Sequence, residues 1–349
     1  MPETTTAARG GPRPARAAGL PLPAALTGLA AALAVAVAAS LVIGAEDLAA
    51  PRAFAALFGD GADRQAHLLV FEYRLPRTIV AIAAGAALGV AGALIQAYTR
   101  NPLADPGILG VNAGAAFGVT VAFGLGLSAS TSALVWPALV GAGAATVAVL
   151  LLASIGRGPA TPVRMTLAGV ALAAVIGGVT TGVRLSDPET FERLRSWQAG
   201  SVAGRSLADL ADVAPYIAAG LALAVLLLKP LNAIALGEDL AASLGVNTRN
   251  VQVLTVTAVA LLVGAATAVA GPIGFIGLMV PHACRLLVGN DHTRVIPMSA
   301  LAAPVIVLLA DVLSRVLLPL RELPVGVVTA FIGAPVLIWV VRSRKAGAP

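Results

Sequence analysis

The residues of this chain that could do chemistry are charged groups at the margins of long apolar segments. Arg74 and Arg77 lie three residues apart in the sequence RLPR, where they can present fixed positive charge to the carboxylates of another protein. Arginines at the end of a membrane helix also extend toward lipid headgroups, and the pattern allows either role. Asp311 and Arg315 are four residues apart and share one face of a helix. That spacing favours a self-neutralised structural pair over a proton relay.

The residue patterns that catalysis requires are missing from the sequence. The three histidines form no HExxH or other metal-ligand spacing, and no GxSxG elbow or Cys/His pair has a suitable context. The single cysteine, Cys284, excludes an intrachain disulfide. The two lysines, Lys229 and Lys345, are followed by Pro and Ala, so the GxxxxGK[ST] phosphate loop is absent. We therefore expect a chain without enzyme activity, metal or cofactor of its own.

The composition is that of a protein built into a membrane. Of the 349 residues, 58% are hydrophobic and only 11% are charged, and the mean hydropathy is +0.91. In soluble globular proteins about a quarter of all residues are charged, so a soluble fold is excluded. The net charge of +6 does not indicate nucleic-acid binding, because the basic residues are scattered at the ends of apolar runs. The runs lack the alternation of barrel strands, and we expect an all-α integral membrane protein.

The lengths of the apolar runs predict ten membrane spans, since about 20 apolar residues cross a bilayer. The predicted spans are 22–44, 76–98, 108–127, 133–155, 163–184, 211–229, 250–270, 273–288, 295–318 and 325–342. The eighth is short and contains Pro281 and His282. These features are typical of a broken or partly re-entrant helix, which is tolerated where protein or water covers its freed backbone groups.

An even number of spans puts both termini on the same side of the membrane. If that side is the cytoplasm, the inside loops are strongly basic and the outside loops carry most of the acids, as the positive-inside rule requires. We therefore predict a multi-pass protein with both termini in the cytoplasm. Residues 1–20, rich in Pro, Gly, Ala and Arg, are expected to form a disordered cytoplasmic tail, and residues 21–345 a single transmembrane domain.

A polar interruption between the sixth and seventh spans, LGEDLAASLG at Leu236–Gly245, predicts a short amphipathic helix. Its acidic first residues suit the positive end of a helix dipole, and Gly245 is a natural helix stop. Leu236, Leu240 and Leu244 recur every four residues and form one apolar stripe. Such a helix either docks into a groove of another protein or lies on the bilayer, and the pattern alone allows both.

A weak internal similarity indicates two inverted halves. Gly89–Gly110 and Ala268–Gly289 each start with a Val-Ala-Gly step, continue through a Pro-containing interruption and resume with an apolar run. They begin in spans two and seven, which run in opposite directions, as an inverted repeat of five plus five helices requires. Glycines at small-xxx-small spacing predict close helix packing at Gly85/Gly89, Gly110/Gly114/Gly118 and Gly178/Gly182.

Four long stretches carry a family resemblance. Arg74–Ala115, which begins RLPRTIVAIAAG, closely resembles the signature of the FecCD family, the permease subunits of ATP-binding-cassette (ABC) importers for ferric siderophores, haem and cobalamin. Leu236–Gly245, Gly271–Pro297 and Ala310–Arg342 match the same family in the same order. The resemblance covers nearly everything from about residue 20 to the C-terminus. It implies the cobalamin-permease-like fold of a type II importer, with about ten transmembrane helices.

The resemblance also implies partners. Such permeases lie in the bacterial cytoplasmic membrane and work as dimers, either of one chain or of two related chains. Two cytoplasmic P-loop ATPase subunits and an extracytoplasmic substrate-binding protein complete the importer. ATP and Mg²⁺ then belong to the ATPase subunits, and this chain binds no cofactor or nucleic acid.

Roles for individual residues follow from the same resemblance. The stretch 236–250 is the segment coupled to the ATPase, with contacts expected at Gly237, Glu238, Leu240, Ala241, Ala242, Leu244 and Gly245. The residues expected to face the docked binding protein are Arg74, Arg77 and Arg315. The fifth span and the short outer helix after it are expected to form the outer gate, with Trp197, Gly200 and Gly204.

The sequence thus predicts a non-catalytic permease subunit of an importer for ferric siderophores. Cobalamin or haem import is the alternative within the family. An ion-coupled secondary transporter is the alternative from another class, and the scarcity of intramembrane carboxylates disfavours it. A membrane-embedded enzyme is disfavoured because metal and nucleophile patterns are missing.

Overall fold

Every regular element in the described part of the chain is a helix. The computed structural model describes residues 21–345 apart from positions 45, 47, 60–62, 128–130, 156–160, 187–191, 193, 196 and 319–320; the predicted tail of residues 1–20 lies outside this part. The helices are α1 (Leu22–Val42), α2 (Ala50–Phe58), α3 (Arg64–Leu68), a π-helical turn (Leu69–Arg74), α4 (Leu75–Thr99), a 3-10 turn (Pro106–Leu109), α5 (Val111–Gly124), α6 (Thr131–Ser154), α7 (Pro162–Ser186), α8 (Leu207–Ala235), α9 (Glu238–Ser243), α10 (Thr248–Ala270), α11 (Ile276–Val288), α12 (His292–Val316) and α13 (Val325–Lys345).

The membrane spans follow the predicted apolar segments. Seven helical stretches of the described part are long and apolar enough to cross a membrane: α1, the continuous helix Arg64–Thr99, α6, α7, α8, α10 and α12. The apolar helices α5, α11 and α13 are shorter in apolar length and occupy the other three predicted positions. The expected all-α architecture of about ten transmembrane helices is confirmed.

The two ends of the helix bundle carry different features. α1 and α12 finish and α4 begins at one end, which we call the arginine end because Arg74, Arg77 and Arg315 meet there. The opposite end, which we call the α9 end, is marked by α9 between α8 and α10. There Asn232, near the end of α8, donates a hydrogen bond of 2.7 Å to Asp291, which precedes α12. α1 begins and α13 finishes at the α9 end.

The helices form two inverted halves, α1 and α4–α7 followed by α8 and α10–α13. α4 and α10, the second spans of the two halves, run in opposite directions and contact each other in the middle of the bundle. α4 packs against α12, and its counterpart α10 packs against α6. α1 likewise packs on α12, as α8 packs on α6. Equivalent pairs in both halves confirm the five-plus-five arrangement predicted from the internal similarity.

Small residues allow the spans to approach closely, because a glycine leaves room for a neighbouring backbone. α4 meets α12 at Gly89, where an added Cβ would lie 2.6 Å from the carbonyl oxygen of Ser299. α5 meets α6 at Gly118, where it would lie 2.0 Å from the carbonyl oxygen of Pro137. Gly178 on α7 has no neighbour within 4 Å in the described part of the chain. Within the described part of the chain, close helix packing is thus found at the first two of the three predicted glycine groups.

The eighth predicted span, α11, is a short helix that continues through Pro281. Proline has no N–H, so the carbonyl of Gly277, four residues earlier, loses its helical partner. The side chain of Gln96 on α4 replaces it, because Nε2 donates to the carbonyls of Gly277 and Leu278 at 3.1 Å each. Arg285 fixes the orientation of the amide by donating to Oε1 at 2.7 Å. A donor from a neighbouring helix therefore keeps α11 unbroken, as membrane interiors require.

The crossing of α4 and α11 generates a stability prediction. At Gly92 an added Cβ would lie 1.9 Å from the carbonyl oxygen of Gly277, so Gly92→Ala must push the helices apart. We expect a loss of about 1–3 kcal/mol, which is usual for an overpacked core. The readout is the temperature at which Cys284, buried in the native protein, reacts with a thiol-specific fluorophore in detergent.

Gly178→Ala is the matched control, because Gly178 is also a helical glycine but has open space around its Cα. Its melting temperature should stay unchanged or rise slightly, since alanine favours helix. Equal melting temperatures for the two variants would contradict the close crossing of α4 and α11.

Candidate functional sites at the two ends of the bundle

Asp311 is the centre of a buried charge cluster at the arginine end. Its side chain is 1% exposed and accepts hydrogen bonds from two guanidinium groups. Arg77 donates to Oδ1 from Nε at 3.0 Å and from Nη2 at 2.8 Å, while Arg315 donates to Oδ2 from Nη2. The Asp311–Arg315 pair is the one that the four-residue spacing predicts. The contact with Arg77 joins positions 234 residues apart, and no local pattern could have revealed it.

Arg74 and Arg315 together cap the C-terminus of α1. The last carbonyls of a helix have no partner within the helix and carry its partial negative charge. Arg74 Nη1 donates to the carbonyls of Leu41 and Val42 at 2.9 and 2.6 Å, and Arg315 Nη1 donates to that of Ser40 at 2.8 Å. These three carbonyl groups, which would otherwise be unpaired in an apolar region, are therefore satisfied by two positive charges.

Glycine at position 44 makes room for this cap. An added Cβ on Gly44 would lie 2.6 Å from Nη2 of Arg74, the atom that donates to the carbonyl of Glu46 at 2.8 Å. Ser40 completes the arrangement, since its hydroxyl accepts from Arg315 Nη2 at 3.0 Å and lies 2.8 Å from the hydroxyl of Thr78. Sequence reasoning missed Ser40 and Gly44, because neither belongs to a charge pattern.

Arg77 differs from the other two arginines in reaching the surface. Its Nη1 donates to Oε2 of Glu322 at 2.7 Å, and the Glu322 side chain is 31% exposed. Glu322 lies in the connection between α12 and α13 and was also missed from the sequence. Arg74 ends the π-helical turn and Arg77 belongs to the first turn of α4, so both project from one face of a continuous helix.

Two of the three arginines expected to face the docked protein are buried in this conformation. Arg74 is 5% exposed and Arg315 is 4% exposed, and both donate to backbone carbonyls at the end of α1. Among the described side chains that these arginines bind, Glu322, the partner of Arg77, is the one open to solvent. Contact of the cluster with a docked protein stays a prediction.

A cavity of about 620 Å³ opens beside the cluster. The arginines form one side of it, and the residues just before α8, Gly204–Ser206, form another. Burial lowers the pKa of the Arg205 guanidinium, and the carboxylate of Asp209 partly offsets this effect. The cavity lining also includes the acidic residues Glu46, Glu72 and Glu322, so the cavity has walls of both charges.

The predicted gate segment is held by backbone contacts. Gly200 has a left-handed backbone with φ of 69°, and an added Cβ there would lie 2.3 Å from the carbonyl oxygen of Pro272. The N–H of Ser201 donates to the carbonyl of Ala270 at 2.7 Å, and the N–H of Gly326 donates to that of Gly200 at 3.0 Å. Trp197 is buried beside this contact.

Gly204, the third predicted gate residue, has a φ of 67° and borders the cavity. Gating by Trp197, Gly200 and Gly204 stays a prediction.

The α9 end presents a short helix with an apolar outer surface. Gly237 and Gly245, with φ of 115° and 80°, allow the chain to turn sharply into and out of α9. Ala241 is fully buried and faces the bundle, whereas Leu240 and Leu244 are 49% and 61% exposed. Leu236 is also exposed, so the predicted leucine stripe points away from this chain. The other predicted contacts in the segment, Glu238 and Ala242, both belong to α9.

A polar clasp joins α8 and α12 next to α9. Asp291 caps α12 by accepting from the N–H and hydroxyl of Thr293 at 2.9 and 2.7 Å, and it also accepts from Asn232. These hydrogen bonds, chiefly that from the Thr293 hydroxyl, hold the pKa of Asp291 below its usual value. The carboxylate is thus kept charged, which suits the positive end of α12.

No group of three or more His, Cys, Asp or Glu side chains in the described part is arranged to hold a metal ion. One end of the bundle carries fixed charge beside a cavity, and the other carries an exposed apolar helix. A bundle of inverted halves with such ends is typical of a membrane transport subunit.

Comparison with solved structures supports this class. The fold matches a structure described as an inward-facing ABC transporter of the metal-chelate type, with 28% identity and a TM-score of 0.81 over 92% of this chain and 99% of that chain. A complex named PsaBC from Streptococcus pneumoniae shares the fold at a TM-score of 0.54 and 18% identity.

The chain belongs to the FecCD transport family, whose model matches residues 32–343. It is 47% identical to the ferric enterobactin transport system permease FepD of Escherichia coli, over 93% of this chain and 96% of that protein. It is 39% identical to a probable siderophore permease, YfiZ, of Bacillus subtilis, over 79% of this chain and 83% of that protein. It is 35% identical to the hemin permease HmuU of Yersinia pestis, over 78% of this chain and 82% of that protein. The expected family is confirmed, and the chain is a multi-pass permease of an ABC importer.

The charge cluster yields a second prediction. Asp311→Asn leaves Arg77 and Arg315 without their buried counter-charge, and breaking a buried pair in this way costs about 3–5 kcal/mol. We expect a large fall in the melting temperature measured by labelling of Cys284. Glu192→Gln is the control, because it removes an ion pair with Arg195 in which both side chains are more than half exposed. That variant should melt like the parent protein. A thermally unaffected Asp311→Asn would contradict the structural role of the cluster.

Proposed function

We propose that this permease imports ferric siderophores, with ferric enterobactin as the first candidate. The observation that carries this proposal is the 47% identity to a ferric enterobactin permease over nearly the whole length of both chains. Relatives named for ferric hydroxamate and ferric citrate are 36% and 38% identical. The identity is therefore higher to a protein named for ferric enterobactin than to these relatives.

Transport in this proposal is driven by a separate pair of ATPase subunits. The apolar face of α9, formed by Leu236, Leu240 and Leu244, is the surface we assign to the ATPase. Its support is geometric: Ala241 ties α9 to the bundle, and the leucines are left uncovered. A helix held on one side and apolar on the other is a suitable element to enter a groove. The α9 end would then be cytoplasmic, together with both termini.

The arginine end would face an extracytoplasmic substrate-binding protein. The cavity of about 620 Å³ and the positive cluster beside it support this assignment, since carboxylates of a partner pair well with fixed guanidinium groups. The gate would lie between the two ends, at Trp197, Gly200 and Gly204. A second permease subunit, identical or related, would complete the pathway.

The other functions have less support. Haem and cobalamin permeases of the family are 35% and 34% identical, below the ferric enterobactin permease. An ion-coupled mechanism would need an intramembrane carboxylate that exchanges protons or ions. The carboxylate of Asp311, in the span α12, is engaged by Arg77 and Arg315, and its side chain is 1% exposed.

The ATPase assignment is tested with Leu240→Ser. We expect ATP-driven uptake to fall at least about tenfold, because an exposed apolar contact of a docking helix is removed. Uptake is measured in proteoliposomes that contain the complete importer. Melting of the permease should be unchanged, since the Leu240 side chain lies outside the core. Leu207→Ser is the control, because Leu207 is 46% exposed but begins α8 at the opposite end. Unchanged uptake in Leu240→Ser would refute the assignment.

The substrate is tested by uptake of radiolabelled ferric enterobactin, ferric citrate, a ferric hydroxamate, haem and cobalamin by cells that express the whole importer. We expect ferric enterobactin to be taken up fastest, with little uptake of haem or cobalamin. Preference for haem or cobalamin would reject siderophore import while leaving the family assignment intact.

A further inference from the structure

The three arginines of the cluster differ in how easily their partners could be replaced. Arg74 binds backbone carbonyls, and Arg315 binds backbone carbonyls and the buried carboxylate of Asp311. Arg77 keeps two of its donors on Asp311 and directs the third, Nη1, to Glu322. Of the carboxylates that these arginines bind in the described part of the chain, Glu322 is the one open to solvent, at 31%.

Glu322 is placed so that its side chain alone needs to move. The N–H of its neighbour Leu323 donates to the carbonyl of Ser314 at 3.1 Å, which anchors the connecting segment to α12. Both Glu322 and Arg77 border the cavity of about 620 Å³, which is far larger than a carboxylate. A rotation of the Glu322 side chain would therefore open Nη1 to a group that enters the cavity.

Arg77 would remain in place after such a rotation. Its Nε and Nη2 hold Asp311 in a two-point contact, so the plane and direction of the guanidinium are fixed by the buried carboxylate. A donor that keeps its orientation when one partner leaves is preorganised for the next partner. Charge favours a carboxylate as that partner, since the loss of Glu322 would leave three arginines against Asp311.

We propose that Glu322 is a stand-in carboxylate, which occupies Arg77 Nη1 until a carboxylate of the docked binding protein displaces it. This inference rests on the proposed docking of an extracytoplasmic binding protein at the arginine end. Glu322 would then lower the affinity of the permease for the binding protein. It would also keep Nη1 of Arg77 paired between docking events.

The test uses the importer in lipid nanodiscs and its own extracytoplasmic binding protein immobilised on a biosensor. In Glu322→Gln the partner no longer competes with an internal charge for Nη1. We expect the Kd to fall about two- to fivefold, the range of a partly exposed ion pair. The melting temperature of the permease should be unchanged.

Glu72→Gln is the matched control, because Glu72 is exposed on the same cavity and the same unit of charge is lost. Any gain in affinity from Glu72→Gln comes from long-range electrostatics and should vanish at about 0.5 M salt, where charges are screened within a few ångströms. The gain in affinity from Glu322→Gln should persist at that salt concentration. The Arg77→Lys variant keeps the positive charge but lacks the planar guanidinium with its separate donors. In that background, Glu322→Gln should have no further effect on the affinity.

Each outcome has a distinct meaning. Equal affinities for Glu322→Gln and Glu72→Gln, with binding intact, would overturn the stand-in role and leave the docking proposal standing. Weaker docking together with a lower melting temperature in Glu322→Gln would show that Glu322 stabilises the fold. That result would also overturn the stand-in role. Absence of any binding to the parent importer would reject the docking proposal and this inference together.

Discussion

One buried carboxylate shared by two guanidinium groups determines how the arginine end is built. Buried charges are tolerated only when they are paired and hydrogen-bonded, and Asp311 meets this condition for Arg77 and Arg315 at once. Arg77 belongs to α4, while Arg315 belongs to α12 and also binds the end of α1. A single side chain therefore fixes three spans relative to one another. The packing of α4 on α12 and of α1 on α12 continues from this point through the membrane.

The sequence predicts the elements of this protein better than their contacts. Apolar length and composition locate all ten membrane helices, and a four-residue spacing predicts the Asp311–Arg315 pair, because both depend on local order along the chain. The capping of α1 by Arg74, the role of Glu322 and the donation from Gln96 to α11 join residues far apart in sequence. No local pattern encodes such contacts, since the folded chain alone brings the partners together.

Helical packing connects the two ends of the molecule physically. α12 begins at the Asp291 clasp beside α9 and finishes at Asp311 and Arg315. α4 runs beside it in the opposite direction, and glycines bring the backbones into direct contact. Close-packed interiors transmit displacement with little loss. A movement imposed on one end of this helix pair therefore reaches the other without a mobile loop between them.

The way in which the predicted gate segment around Gly200 is held has a consequence for how this protein can change over evolution. Ser201 and Gly326 join the segment to the end of α10 and the start of α13 through main-chain atoms alone. Such bonds do not depend on which side chains surround them. The course of this segment is therefore fixed by two membrane helices, and substitutions of its non-glycine side chains leave these bonds in place.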